Sequence, residues 1–140
     1  MFKPAKYPQF FVYLTVRECE AAIEFYIKAF NFELGDSVPG ENGKVQHAEL
    51  SYGAAVIMMA PEGAWGNTRD KAPITTGLTP SSTFYMYVEN VDTFYKRAVE
   101  AGAKSLAEPQ ESFWGDRFCR LSDSEGYEWM FATLSEKEQK

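Results

Sequence analysis

The sequence predicts an α+β fold in which two tandem βαβββ modules pair curved, mixed β-sheets, with their helices outside. Three observations lead there. The order of elements read from hydrophobic periodicity is the same in both halves, the halves match in residues as well as in order, and a turn-rich stretch separates them.

Residues 10–16 (FFVYLTV) are rich in β-branched and aromatic side chains and end at the charged pair Arg17-Glu18, so they read as a strand. A helix follows over 20–30, because Ala22, Ile23, Tyr26, Ile27 and Phe30 recur at spacings of three and four and make one apolar stripe; it stops near Asn31. Residues 32–38 read as a strand, 39–43 as a turn centred on Asn42-Gly43, and 44–52 as the hairpin partner. Gly53 then turns the chain into a strand over 54–60. Pro61, Gly63, Gly66, Pro73, Gly77 and Pro80 fill the next stretch with turn formers, which makes 61–82 a connector. Beyond it, 83–88 is a strand, and 91–101 carries helical spacing through Val91, Phe94, Tyr95, Ala98 and Val99, capped by Gly102. Residues 103–109, 116–122 and 127–133 are three more strands. One domain thus spans 1–140, with a first module over about 8–60 and a second over about 83–134.

The repeat extends to side chains. Phe25-Tyr26-x-x-Ala29 aligns with Phe94-Tyr95-x-x-Ala98, and His47 to Ser51 aligns with Phe118 to Ser122. Each module leaves one face of its sheet free of helix, so the expectation is that modules pair, either within a chain or by exchange between chains, and enclose space between the curved sheets. That space is the expected site.

Composition narrows the function. Lys plus Arg is 14 against 20 for Asp plus Glu, a net charge of −6, and no basic run exists to collect phosphates, so nucleic acid is not an expected partner. No stretch approaches the roughly 18 apolar residues of a membrane span, and the start lacks the apolar core of a signal peptide, so a cytoplasmic protein without a membrane partner is expected. Two cysteines, Cys19 and Cys119, suit a reducing compartment and read as small buried residues. Glycine-rich phosphate loops, nucleophile elbows and Cys-x-x-Cys pairs are absent from the sequence, which disfavours phosphoryl transfer and serine or thiol hydrolysis.

Several short motifs occur in a fixed order: Tyr13-Leu14-Thr15-Val16, Ala22 to Tyr26 (AIEFY), Lys44 to Leu50 (KVQHAEL), Val56 to Met58 (VIM) and Phe113 to Arg117 (FWGDR). Together they resemble the vicinal oxygen chelate superfamily, which includes glyoxalase, extradiol dioxygenase and bleomycin-resistance proteins, and are most similar to its PhnB-like, 3-demethylubiquinone-methyltransferase-like members. The resemblance covers nearly the whole chain and implies paired βαβββ modules. In metal-dependent members, His or carboxylate ligands stand on the first and last strand of each module. The resemblance transfers those positions to Phe11, Met58 or its neighbour, Thr83 and Met130, none of which suits Zn²⁺, Fe²⁺ or Mg²⁺. The sole histidine, His47, also excludes a two-histidine iron site within one chain. No metal or other cofactor is expected.

Alternation places further candidates. His47 and Glu49 are two apart and share the helix-free face, opposite Ala48 and Leu50. They form either an acid–base pair or a structural hydrogen-bonding pair with Arg117 or Arg120. Arg120 shares that face with Phe118 and is read as an ion-pair partner of Glu49 or, like Arg117, as a receptor for an anionic ligand; Asp116 and Arg117 make an alternative salt bridge. Phe11, Tyr13, Tyr85 and Tyr87 supply aromatic walls, Met58 and Met130 adaptable apolar surface, and Trp65 and Phe113-Trp114 lids. These rings either line a pocket, fill it or form a dimer contact.

The expected function is metal-free binding or sequestration of a small apolar or aromatic molecule between β-sheets by a homodimer, in the manner that bleomycin-resistance relatives imply. The alternative is a glyoxalase, dioxygenase or isomerase type of enzyme, working through a non-standard metal site or through His47 and Glu49.

Overall fold

The computed structural model describes residues 1–138. The first module runs β1 (Val12–Val16), α1 (Cys19–Phe30), β2 (Glu33–Pro39), β3 (Val45–Tyr52) and β4 (Ala55–Pro61). A 3₁₀ turn (Ala64–Gly66) and a short helix α2 (Pro73–Thr76) interrupt the connector. The second module runs β5 (Phe84–Tyr87), α3 (Val91–Glu100), β6 (Lys104–Glu111), β7 (Asp116–Ser122) and β8 (Glu128–Leu134). The strand orders are β1-β4-β3-β2 and β5-β8-β7-β6, each with one parallel pair between its first and last strands. The predicted elements are all present, with ends shifted by a residue or two, as helix and strand ends commonly are.

Local chemistry explains the boundaries. Asn31 ends α1 in the left-handed region (φ 59°), a conformation asparagine tolerates better than most side chains. The Asn90 side chain caps α3 by accepting a hydrogen bond from the Thr93 N–H at 3.1 Å. Arg97 reaches out of α3 to donate to the carbonyls of Lys28 (2.9 Å) and Ile27 (3.2 Å), so one module satisfies the orphan carbonyls at the end of the other's helix.

One core serves both modules. Leu14, Val16, Leu50 and Met59 point inward from the first sheet, Cys119, Leu121, Trp129 and Phe131 from the second, and α1 and α3 lie against each other among them. Phe30 joins the halves, with ring centroids 4.8 Å from Phe131 and 6.0 Å from Phe94. A buried polar seam runs beside these rings. Asp123, in the β7–β8 turn, accepts from Tyr26 Oη at 2.6 Å and Trp129 Nε1 at 2.9 Å, while Arg17 donates to the buried Glu125 through its backbone N–H at 2.7 Å and its guanidinium at 3.3 Å.

Pairing within the chain leaves the helix-free faces uncovered. The modules join through their helix-bearing sides, because that is where both sheets present continuous apolar rows. The space anticipated between the helix-free faces is therefore not closed within one chain: Tyr13 and Tyr87 on those faces are 53% and 60% exposed.

Candidate functional site

Register fixes what each open face displays. On the first sheet Tyr13 pairs with Met58 and Met58 with Glu49, so the three side chains stand in one row across β1, β4 and β3. On the second, Tyr85 pairs with Met130 and Met130 with Arg120, a row in the equivalent position. The alternation predicted for both sheets holds, with Leu14, Ala48, Leu50, Cys119 and Leu121 buried on the opposite side.

On the first face, polar groups form a continuous chain. Tyr13 Oη lies 2.9 Å from His47 Nδ1, and His47 Nε2 lies 2.9 Å from Glu49 Oε2. A carboxylate only accepts, so the consistent assignment for a neutral ring has Nε2–H donating to Glu49 and Nδ1 accepting from the Tyr13 hydroxyl. Tyr7, from the segment before β1, donates its hydroxyl to the other oxygen of Glu49 and stacks on Phe11 at 5.8 Å. Burial works against the Glu49 charge, but the hydrogen bonds from Tyr7 and His47 outweigh it and hold the carboxyl below its ordinary range. Burial raises the Tyr13 phenol, with smaller pushes from Cys19 and Glu49, so Tyr13 stays a protonated donor. The row can accept or pass a proton through His47 and can hydrogen-bond a guest, and a cavity of about 220 Å³ opens beside Tyr7 and Glu49.

The second face centres on a residue that the sequence suggested only as a salt-bridge partner of Arg117. Asp116 accepts at Oδ2 from Tyr85 Oη (2.5 Å), Tyr87 Oη (2.7 Å) and Trp114 Nε1 (3.2 Å). Trp114 also donates to Tyr85 Oη at 3.0 Å and stacks on Phe118, centroids 5.3 Å apart. Burial disfavours the Asp116 charge, yet the three donors lower its pKa, while burial and the bond to Asp116 push the Tyr85 phenol up to about 12. Asp116 has the same strand parity as Phe118 and Arg120, and that signal was sufficient to place it on this face. Tyr7, in an irregular segment between prolines, carried no comparable signal.

Other candidates lie elsewhere. Arg117 points to the helix side, where it grips Asp92 at 2.8 and 2.9 Å and Glu111 at 3.4 Å; it lines a cleft of about 550 Å³ as an already paired cation. The expected Asp116–Arg117 bridge is not made, since adjacent strand residues face opposite ways. Arg120 bonds Glu128 at 2.9 Å and Thr83 at 2.8 Å, so the expected pair with Glu49 is absent, the two standing on separate faces. For the same reason neither arginine bonds His47 or Glu49. Trp65 sits exposed in the 3₁₀ turn and shares no hydrogen bond or ring contact with the other candidates among the described residues. In the other expected lid, Phe113-Trp114, Phe113 projects into solvent and Trp114 folds onto the second face.

The positions that the resemblance assigns to metal ligands fall on Phe11, Met58, Thr83 and Met130, where the donors are a ring, two thioethers and a hydroxyl already bonded to Arg120. This set does not fit a divalent metal. Among the described residues no group of three or more His, Cys, Asp or Glu is gathered closely enough to hold one.

Comparison with known proteins agrees with this frame. The model of the Glyoxalase/Bleomycin resistance protein/Dioxygenase superfamily matches residues 9–131. The uncharacterized protein Mb0911c of Mycobacterium bovis is similar, with 36% identity over 121 residues, covering 84% of this chain and 77% of its own. Among solved structures, TioX from Micromonospora sp. ML1 is similar at a TM-score of 0.72 and 24% identity, covering 91% of this chain and 99% of that one. A PhnB protein from Bacillus cereus is similar at 0.65 and 17%, covering 91% and 100%. At such identities the two structures establish the fold.

Proposed function

Because this chain belongs to the glyoxalase/bleomycin resistance protein/dioxygenase superfamily, we propose that it binds a small apolar or aromatic molecule, without a metal, in cavities that form when a second copy covers the open faces of its sheets. One observation carries this reading. The core closes without Tyr13, Tyr85, Tyr87 and Trp114, which stay exposed in ordered rows, so these rings are not core filler. Rigid rings with hydroxyl or indole tips, backed by adaptable methionines, suit a flat apolar guest with a few polar groups.

Native mass spectrometry of purified protein tests the proposal. The expected result is a dimer that retains no stoichiometric metal, with aromatic probes such as 2-naphthol raising its melting temperature. A monomer indifferent to every aromatic probe would refute it.

A second reading has its own support in the Tyr13–His47–Glu49 chain, whose geometry suits acid–base chemistry on a bound substrate. Stoichiometric Zn, Ni, Fe or Mn lost on His47→Ala, or turnover abolished by that change, would favour the enzyme.

A further inference from the structure

We infer that the second module's open face recognises an organic cation, with the Asp116 carboxylate behind Tyr85, Tyr87 and Trp114 holding an alkylammonium or quaternary ammonium group. The inference rests on the binding reading above and names the charge of the guest.

The argument begins with an unbalanced charge. Asp116 is 3% exposed, and its three side-chain donors, two phenols and an indole, are all neutral. A buried carboxylate ordinarily has a cationic partner, since desolvation of an isolated charge is costly. Here the neighbouring cations are committed elsewhere, Arg117 to Asp92 and Glu111 on the far side of the sheet, and Arg120 to Glu128. Arg120 and Glu128 neutralise each other, and among the described residues no cationic side chain forms an ion pair with Asp116.

The rings extend that charge to the surface. A phenol or indole donating to a carboxylate is polarised, which makes its ring richer in electrons and its face more attractive to a cation. Tyr85 and Tyr87 stand at 71° with centroids 5.6 Å apart, and Trp114 is braced on Phe118, so the faces are held as walls. A small metal ion is the wrong guest, because it needs several oxygen ligands and this site offers one carboxylate. A soft cation of low charge density, attached to an apolar body, matches both the walls and the charge behind them.

The test uses three probes on the full chain, read by calorimetry and tryptophan fluorescence: phenyltrimethylammonium, its neutral carbon isostere tert-butylbenzene, and 2-naphthol. The expected result is that the cation binds about tenfold more tightly than its isostere, a preference that falls with added salt. Asp116→Asn should remove most of it. Should that variant fail to fold, Tyr87→Leu, at a position exposed enough to leave the core intact, should still weaken the cation several-fold. Equal affinity for cation and isostere in the unaltered protein, with 2-naphthol bound, overturns this inference and spares the binding reading. If none of the three probes binds, both are overturned.

Discussion

Replacing Tyr26 with Phe tests whether the polar seam between the modules is ionised and holds them together. The side chain is fully buried and its hydroxyl donates to Asp123 Oδ2 at 2.6 Å. Asp123 also accepts from Trp129 Nε1 and from the backbone N–H groups of Glu125 and Tyr127, at 2.9 Å each. Burial nevertheless dominates and pushes its carboxyl up from 3.8 to about 6. A carboxyl raised in the folded state contributes stability that is fully present below about 3.8 and is lost as pH rises through about 6. Linkage then gives about 1 kcal/mol more stability at pH 5 than at pH 8 from this group. At pH 7 Asp123 is mostly charged, and deleting a hydrogen bond to a charged group costs about 1.5–3 kcal/mol. At pH 5 the carboxyl is mostly protonated and the same deletion costs about 0.5–1.5 kcal/mol. Urea unfolding of both proteins at the two pH values, with unchanged m, should therefore show a loss about 1 kcal/mol larger at pH 7. An equal loss at both, or one below about 0.5 kcal/mol at pH 7, would refute an ionised latch.

Three further outcomes are expected. Gly126→Ala should destabilise the fold by about 2–4 kcal/mol in thermal or urea unfolding, since φ is +91° and a new Cβ would lie 2.9 Å from the Ile74 backbone nitrogen, forcing α2 off the β7–β8 turn. Cys19 and Cys119, fully buried with thiols pushed up to about 12 and about 11, should resist iodoacetamide in the folded protein and react once urea unfolds it. Tyr7→Phe should raise the pH at which the Glu49 carboxyl titrates in carbon-13 NMR, because it removes a hydrogen bond that favours the charge.

Much of this was written in local patterns. The spacing of Ala22, Tyr26 and Phe30 and the alternation through Tyr13, His47, Glu49, Tyr85 and Arg120 correctly predict helix stripe and open face, because burial on one side imposes a period on the chain. The contacts that set the modules against each other were not legible. Arg17 with Glu125 and Tyr26 with Asp123 join residues about a hundred positions apart, and no periodicity encodes such a pairing. Arg117 was misplaced for a related reason. A charged residue reads as a ligand receptor until its strand parity is counted, and the same count adds Asp116, whose position in a Gly-Asp-Arg run suggested a neighbouring salt bridge instead.

Duplication then explains how one frame carries two chemistries. Tyr13, Met58 and Glu49 on the first sheet correspond to Tyr85, Met130 and Arg120 on the second, so ring and thioether are kept while the third group reverses its charge. That reversal is locally cancelled, because Glu128 pairs with Arg120, whereas Glu49 is held by a phenol and an imidazole. Each face consequently ends with one carboxylate held by ring-borne donors, Glu49 by Tyr7 and His47 on the first and Asp116 by Tyr85, Tyr87 and Trp114 on the second. Two such faces brought together, in the dimer proposed above, would place two carboxylates, Glu49 and Asp116, around an aromatic-walled space. Their mutual repulsion would oppose closure in the empty state, and a cationic guest would relieve it. Ligand binding and dimer stability should therefore rise together: the dimer dissociation constant measured by analytical ultracentrifugation should fall when phenyltrimethylammonium is present, and an unchanged constant would separate the cation site from the dimer contact.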